Sequence, residues 1–111
     1  MVEQTLSPRA ARRKCLASRC LDEGLALYAR GSTREALRLY LRAIDLEPEN
    51  AVAHYVMGVA LQAAGRADEA RAQWKSAVAL RPDSEDGEWA KTKARQLLQA
   101  PALRDRGMAD D

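Results

Sequence analysis

Apolar residues recur at the 3.6-residue spacing of an α-helix along most of the chain, and glycine or proline interrupts the pattern at intervals. Ser7 and Pro8 predict the start of a first helix, because serine caps helix N-termini and proline fits the first helical turn. The pattern then runs to Arg30, where Gly31 predicts a left-handed stop. The first predicted helix, 8–30, is therefore long.

The same reasoning predicts four further helices, each closed by glycine or proline and three of them opened by a capping residue. Ser32 to Glu35 has the sequence of a capping box, in which the serine and glutamate side chains each bind a free backbone amide. The chain is therefore predicted to be all-α. The four further helices are expected to run from Ser32 to about Leu46 and over 51–64, 67–80 and 85–99.

The chain also repeats itself with a period of 34 residues. Laying 17–50 over 51–84 gives 11 identities, which is more than chance matching provides even in an alanine-rich chain. A fixed period of this length is typical of stacked helical hairpins that bury their apolar faces against neighbours. It indicates a binding function rather than catalysis. The identical pairs include Gly24/Gly58, Gly31/Gly65, Ala36/Ala70, Ala43/Ala77 and Pro48/Pro82.

The repeated residues resemble those of tetratricopeptide repeats, over about 68 of the 111 residues. The resemblance implies an α-solenoid of two helix-turn-helix units, 17–50 and 51–84. Helix 85–99 lacks the glycine and leucine of the repeat and is expected to cap the solenoid. With its extended first helix the first unit covers 8–50, and residues 1–7 and 100–111 are expected to be flexible and disordered. The shared pattern is Gly24, Leu27, Gly31, Glu35, Ala36, Tyr40, Ala43, Leu46 and Pro48, repeated through Pro82.

Small and large residues of this pattern have a packing interpretation. Gly24 and Gly58 lack a Cβ atom, so the backbone of the paired helix is expected to approach closely there. Tyr40 and Trp74 are bulky, and we expect them to fill the space between repeats.

The net charge of +2 is unevenly distributed. Residues 1–20 carry five basic side chains and one acidic side chain, whereas residues 21–111 carry 13 basic and 15 acidic side chains. This basic arm could contact phosphate on nucleic acid or an anionic surface, or an acidic protein; the plainer interpretation is a solvated helix end. No aromatic residue is interleaved with it, so nucleic-acid binding is not favoured. The basic residues are Arg9, Arg12, Arg13, Lys14 and Arg19.

No residue set in the chain predicts catalysis, a cofactor, a metal site or a small-molecule substrate. Cys15 and Cys20 point to different sides of a helix and, with the single histidine His54, do not form a zinc-binding pattern. We expect reduced thiols in a cytoplasmic protein, and the bias of 14 arginines to four lysines suggests a bacterial source. No stretch has the length of a membrane span or the features of a signal peptide.

The resemblance implies that the first helix of each pair lines a concave groove where partners bind. The family's pocket for C-terminal carboxylates uses Lys, Arg and Asn there, and the apolar residues of this chain put that role in doubt. We expect an adaptor or scaffold that binds a peptide or amphipathic helix of another protein. One alternative is that the apolar residues of these first helices belong to the core. Another is a homo-oligomer that buries its first or last helix against a copy of itself. The predicted groove residues are Leu21, Leu25, Tyr28, Val52, Tyr55, Val59 and Gln62, with Trp89 at the rim.

Overall fold

A computed structural model describes residues 7–99 of the chain, and this part contains five α-helices and no strand. The prediction of an all-α chain with five helices is confirmed, and every helix begins and ends within one residue of its predicted position. Residues 1–6 and 100–111, which were expected to be flexible, lie outside the described part. The helices are α1 (Pro8–Ala29), α2 (Thr33–Leu46), α3 (Ala51–Ala63), α4 (Ala67–Ala79) and α5 (Glu85–Gln99).

The helices form two compact units, the first ending at Pro48 and the second beginning at Glu49. In the first unit α1 packs against α2. In the second unit α3 packs against α4, and α5 packs against both of them. Each unit therefore contains one pair of helices, and the second unit has an additional helix.

Glycine ends α1 and α3 by the same hydrogen-bonding pattern. Gly31 has φ +89°, and Gly65 has φ +82°. The amide of Gly31 donates to the carbonyl of Tyr28 at 3.0 Å, and the next amide donates to the carbonyl of Leu27 at 2.9 Å. The corresponding bonds after α3 run from Gly65 to Gln62 and from Arg66 to Leu61. This is the Schellman arrangement, and it confirms that both glycines act as helix stops.

The capping box predicted at Ser32 is wrong, because the side chain of Ser32 makes no capping hydrogen bond. The Ser32 backbone belongs to the turn that ends α1, with ψ 64°. The residues that do cap a helix with their side chains have more extended backbones. Ser7 has ψ 158°, and its side chain accepts a hydrogen bond from the Ala10 amide at 3.1 Å. Asn50 has ψ 103°, and its side chain accepts from the Ala53 amide at 3.1 Å. The preceding turn thus determines the geometry at Ser32.

An aromatic ring packs on a glycine in each helix pair. Tyr40 is 1% exposed, and a Cβ built on Gly24 would lie 2.6 Å from its Cε1 atom. Trp74 is 2% exposed, and a Cβ built on Gly58 would lie 2.5 Å from its Cδ1 atom. Each glycine therefore makes room for a ring of the paired helix rather than for its backbone. Both rings fill space inside their own pair, which corrects the expectation that they lie between repeats.

Alkaline pH is expected to weaken the first unit through Tyr40. Burial, assisted by the neighbouring Tyr28, raises the pKa of Tyr40 from 10.0 to about 12. Below pH 10 the phenol is protonated in both the folded and the unfolded protein. Between pH 10 and 12 the unfolded chain loses this proton while the folded chain keeps it, so the free energy of unfolding falls as pH rises. We expect a loss of about 2 kcal/mol of unfolding free energy over this window.

Urea denaturation at a series of alkaline pH values measures this loss. Tyr40→Phe is the control, because it keeps the aromatic ring and removes the titrating hydroxyl group. The variant should lose less stability than the wild type between pH 10 and 12. Equal losses in the two proteins would show that Tyr40 titrates normally.

Candidate functional site

Partly exposed apolar side chains gather where α3 and α5 lie side by side in the second unit. The four predicted residues on α3 follow helical spacing, so they share one face of that helix. They are half-buried, whereas Trp89 on α5 is 51% exposed. We call this set the aromatic surface: Val52, Tyr55, Val59, Gln62 and Trp89.

The two aromatic rings of this surface touch each other. The ring centroids of Tyr55 and Trp89 lie 5.3 Å apart with an interplanar angle of 85°, which is an edge-to-face contact. Lys93, one helical turn after Trp89, places its Nζ atom 5.9 Å from the centroid of the Trp89 ring. Lys93 was not predicted as part of the site, although its position four residues after an exposed tryptophan was a usable signal. The exposed indole is therefore held by two neighbours.

Contacts beneath the surface hold both helices in place. On the α3 side, the buried indole of Trp74 donates from Nε1 to the backbone carbonyl of Tyr55 at 3.3 Å. On the α5 side, Lys91 Nζ donates to the carbonyl of Leu80 at 2.9 Å, and Ser84 Oγ accepts from the Gly87 amide at 3.0 Å. These bonds attach α5 to the end of α4 and to its own N-terminal turn. The positions of Tyr55 and Trp89 thus depend on the packed interior of the second unit.

The hydroxyl of Tyr55 stays neutral over the physiological range. Burial raises the pKa of this phenol above its ordinary value of 10.0. A neutral phenol can both donate and accept a hydrogen bond. Tyr55 therefore offers a partner an apolar ring with a polar tip.

In the first unit the predicted groove residues differ in exposure. Leu21 is 7% exposed and belongs to the core of the helix pair, together with Ala17 and Cys20. Leu25, one turn later, is 43% exposed, and Tyr28 is half-buried. Leu25 and Tyr28 are therefore accessible at the surface, whereas Leu21 is almost fully buried.

His54 is a packing residue of the second unit. It is 8% exposed, and its Nδ1 atom lies 2.8 Å from Oε1 of Gln73 on the neighbouring helix. Within residues 7–99 there is no group of three His, Cys, Asp or Glu side chains placed to hold a metal ion. Both cysteines of this part are free thiols; Cys15 is exposed and Cys20 is buried.

Two residues of the basic arm bind the end of α2. Arg13 donates from Nε to the carbonyl of Leu46 at 3.2 Å and from Nη2 to the carbonyl of Asp45 at 3.3 Å. Lys14 pairs with the largely buried carboxylate of Glu47 at 2.8 Å. Cations here satisfy free carbonyls and complement the helix dipole. This structural role of the arm was not predicted, because residues some 30 positions apart give no local sequence signal.

Comparison with known proteins agrees with this architecture. No curated protein matches the chain significantly. Separately, no helix of residues 7–99 is long and apolar enough to cross a membrane. The family model of the TPR repeat matches residues 24–65, from Gly24 in α1 to Gly65 after α3. TPR repeats are a non-catalytic family and are generally protein–protein interaction modules. This match and the five helices of residues 7–99 are consistent with a small TPR-like helical repeat protein.

Proposed function

We propose that the protein is an adaptor that binds a peptide or an amphipathic helix of another protein on the exposed faces of its first helices. The aromatic surface of the second unit provides the main contacts, and Leu25 and Tyr28 are a separate apolar surface on the first unit. The observation that carries the proposal is the contact between Tyr55 and Trp89, because it leaves half of a tryptophan exposed in a fixed position.

An exposed indole of this kind favours binding for two physical reasons. Tryptophan and tyrosine bury a large apolar area when a partner covers them, and they are enriched among residues that dominate binding energy. Trp89 is also held by Tyr55 and Lys93. It therefore loses less side-chain freedom on binding than an unsupported surface residue would.

The chemistry of the surface fits an apolar segment. Val52 and Val59 flank Tyr55 along α3 at spacings of three and four residues. Such a row matches the side chains that an amphipathic helix presents at i, i+3 or i+4 and i+7. Because the row is short, we expect modest affinity, with a dissociation constant near 1 μM, or about −8 kcal/mol.

Replacing Tyr55 and Val59 together by glutamate is expected to abolish this binding. Two charges would then lie where the partner's apolar side chains need to exclude water. Peptides selected from a random displayed library against the wild type serve as ligands, and calorimetry measures their affinity. We expect at least about a 100-fold loss, since two residues of this kind contribute several kcal/mol.

Leu41→Glu is the matched control, because Leu41 is 49% exposed on α2 and lies outside the proposed surface. It introduces the same charged group at an exposed apolar position and should leave affinity unchanged. Trp89→Ala is a second probe that removes no buried side chain. Circular dichroism confirms that each variant stays helical. Unchanged affinity in folded Tyr55→Glu/Val59→Glu and Trp89→Ala proteins would refute the proposal.

A further inference from the structure

The N-terminal half of α1 has an exposed face that neither the fold nor the proposed function uses. Positions 9, 12, 16 and 19 follow one another at intervals of three and four residues, so they form a single stripe along the helix. All four side chains are exposed, and the leucine at the centre is 39% exposed. We call them the basic stripe: Arg9, Arg12, Leu16 and Arg19.

The basic stripe is distinct from the basic residues that stabilise the first unit. Arg13 and Lys14 bind the end of α2 and Glu47. The three arginines of the stripe make no side-chain hydrogen bond or ion pair with the rest of residues 7–99. Three guanidinium groups around an exposed leucine form a surface that matches an acidic segment with an apolar centre.

The first turns of α5 have this complementary chemistry. Glu85, Asp86 and Glu88 are all exposed, and they lie four, three and one residues before Trp89. Trp89 is the most exposed large apolar side chain among the described residues, at 51%. We call Glu85, Asp86, Glu88 and Trp89 the acidic turn. It carries three formal negative charges, equal in number to the positive charges of the basic stripe.

We propose that the basic stripe of one copy of the protein docks on the acidic turn of a second copy, with Leu16 packed on the Trp89 ring. Contact between two basic stripes, or between two acidic turns, would place like charges opposite each other, which is unfavourable. The pairing therefore joins the first helix of one copy to the last helix of another. Since the charges are exposed, salt above the physiological level weakens the association.

This self-association does not rest on the peptide-binding function. Trp89 belongs to both proposed surfaces, whereas Tyr55 and Val59 do not contact the second copy and the charged residues of the stripe and turn take no part in the proposed peptide contacts. The two proposals can therefore fail separately.

A charge-swap experiment tests the pairing by sedimentation equilibrium of the full chain over a range of concentrations at low salt. The wild type should show an average mass that rises with concentration. Arg12→Glu/Arg19→Glu should weaken this association about tenfold or more, and Glu85→Lys/Asp86→Lys should do the same. An equimolar mixture of the two variants should associate again, because each altered surface then meets its opposite charge.

Matched controls have the same charge changes at other exposed positions. Arg38→Glu/Arg42→Glu alters two arginines of α2, and Asp68→Lys/Glu69→Lys alters two acids in the first turn of α4. Both should associate as the wild type does. Leu16→Ser, which changes no charge, should also weaken association. A monomeric wild type at all concentrations, a mixture that stays monomeric, or controls that associate as weakly as the swapped variants would overturn the proposal.

Discussion

Replacing Trp74 by alanine is expected to lower the free energy of unfolding of the second unit by about 3–5 kcal/mol. The indole is 2% exposed and packs on Gly58, so its removal leaves a cavity between α3 and α4. The substitution also deletes the hydrogen bond from Nε1 to the Tyr55 carbonyl. Domains of ordinary stability unfold with about 5–15 kcal/mol, so a loss of this size removes a large part of the total.

Trp89→Ala is the matched control, because it removes the same side chain from an exposed position. Trp89 is 51% exposed, and its ring contacts that of Tyr55 in an edge-to-face arrangement. We expect a loss below about 1 kcal/mol, mainly from the lost aromatic contact. Urea denaturation followed by circular dichroism compares the two variants. Equal losses would contradict the assignment of Trp74 to the core.

Gly58→Leu is expected to destabilise the second unit by about 2 kcal/mol. The added Cβ would lie 2.5 Å from Cδ1 of Trp74, which is far inside contact distance, and the buried ring has little room to move. Overpacking of this kind costs up to about 3 kcal/mol. Leucine is a better helix former than glycine by about 1 kcal/mol, which offsets part of that cost.

Two comparisons isolate the clash with the ring. Ala63→Leu adds a larger side chain at an exposed position of the same helix and should leave stability nearly unchanged. In the double variant Gly58→Leu/Trp74→Ala the leucine enters space that the indole has left. The double variant should therefore lose less stability than the sum of the two single variants. A Gly58→Leu protein as stable as the wild type would show that the glycine is not needed for packing.

The fold was predictable because its strongest signals are local and repeated. Gly31 and Gly65 adopt positive φ angles that other residues rarely adopt, so their positions determine where α1 and α3 end. Ser32 shows the limit of local reasoning. Its sequence context is that of a cap, yet its backbone is set by the turn that follows α1. The packing of Tyr40 on Gly24 likewise depends on how two helices cross, which the spacing of residues does not specify.

The candidate site was only partly predictable for a related reason. Leu21 and Leu25 are both leucines one turn apart on α1, yet one is 7% exposed and the other 43%. Their difference arises from the position of α2 against α1, and the hydrophobic pattern of one helix does not report it. Arg13 similarly binds the end of α2, some 30 residues away in sequence. Long-range contacts of this kind determine which side chains of a helix are buried and which are exposed.

The indole N–H resonances of the two tryptophans show whether a peptide binds the aromatic surface, because one indole lies on this surface and the other lies beneath it. A library-selected peptide is titrated into isotope-labelled protein. We expect the Trp89 resonance to shift progressively, while the Trp74 resonance, which belongs to a buried indole bonded to the Tyr55 carbonyl, moves little. Binding of the peptide without a shift of the Trp89 resonance would show that the peptide does not contact the aromatic surface.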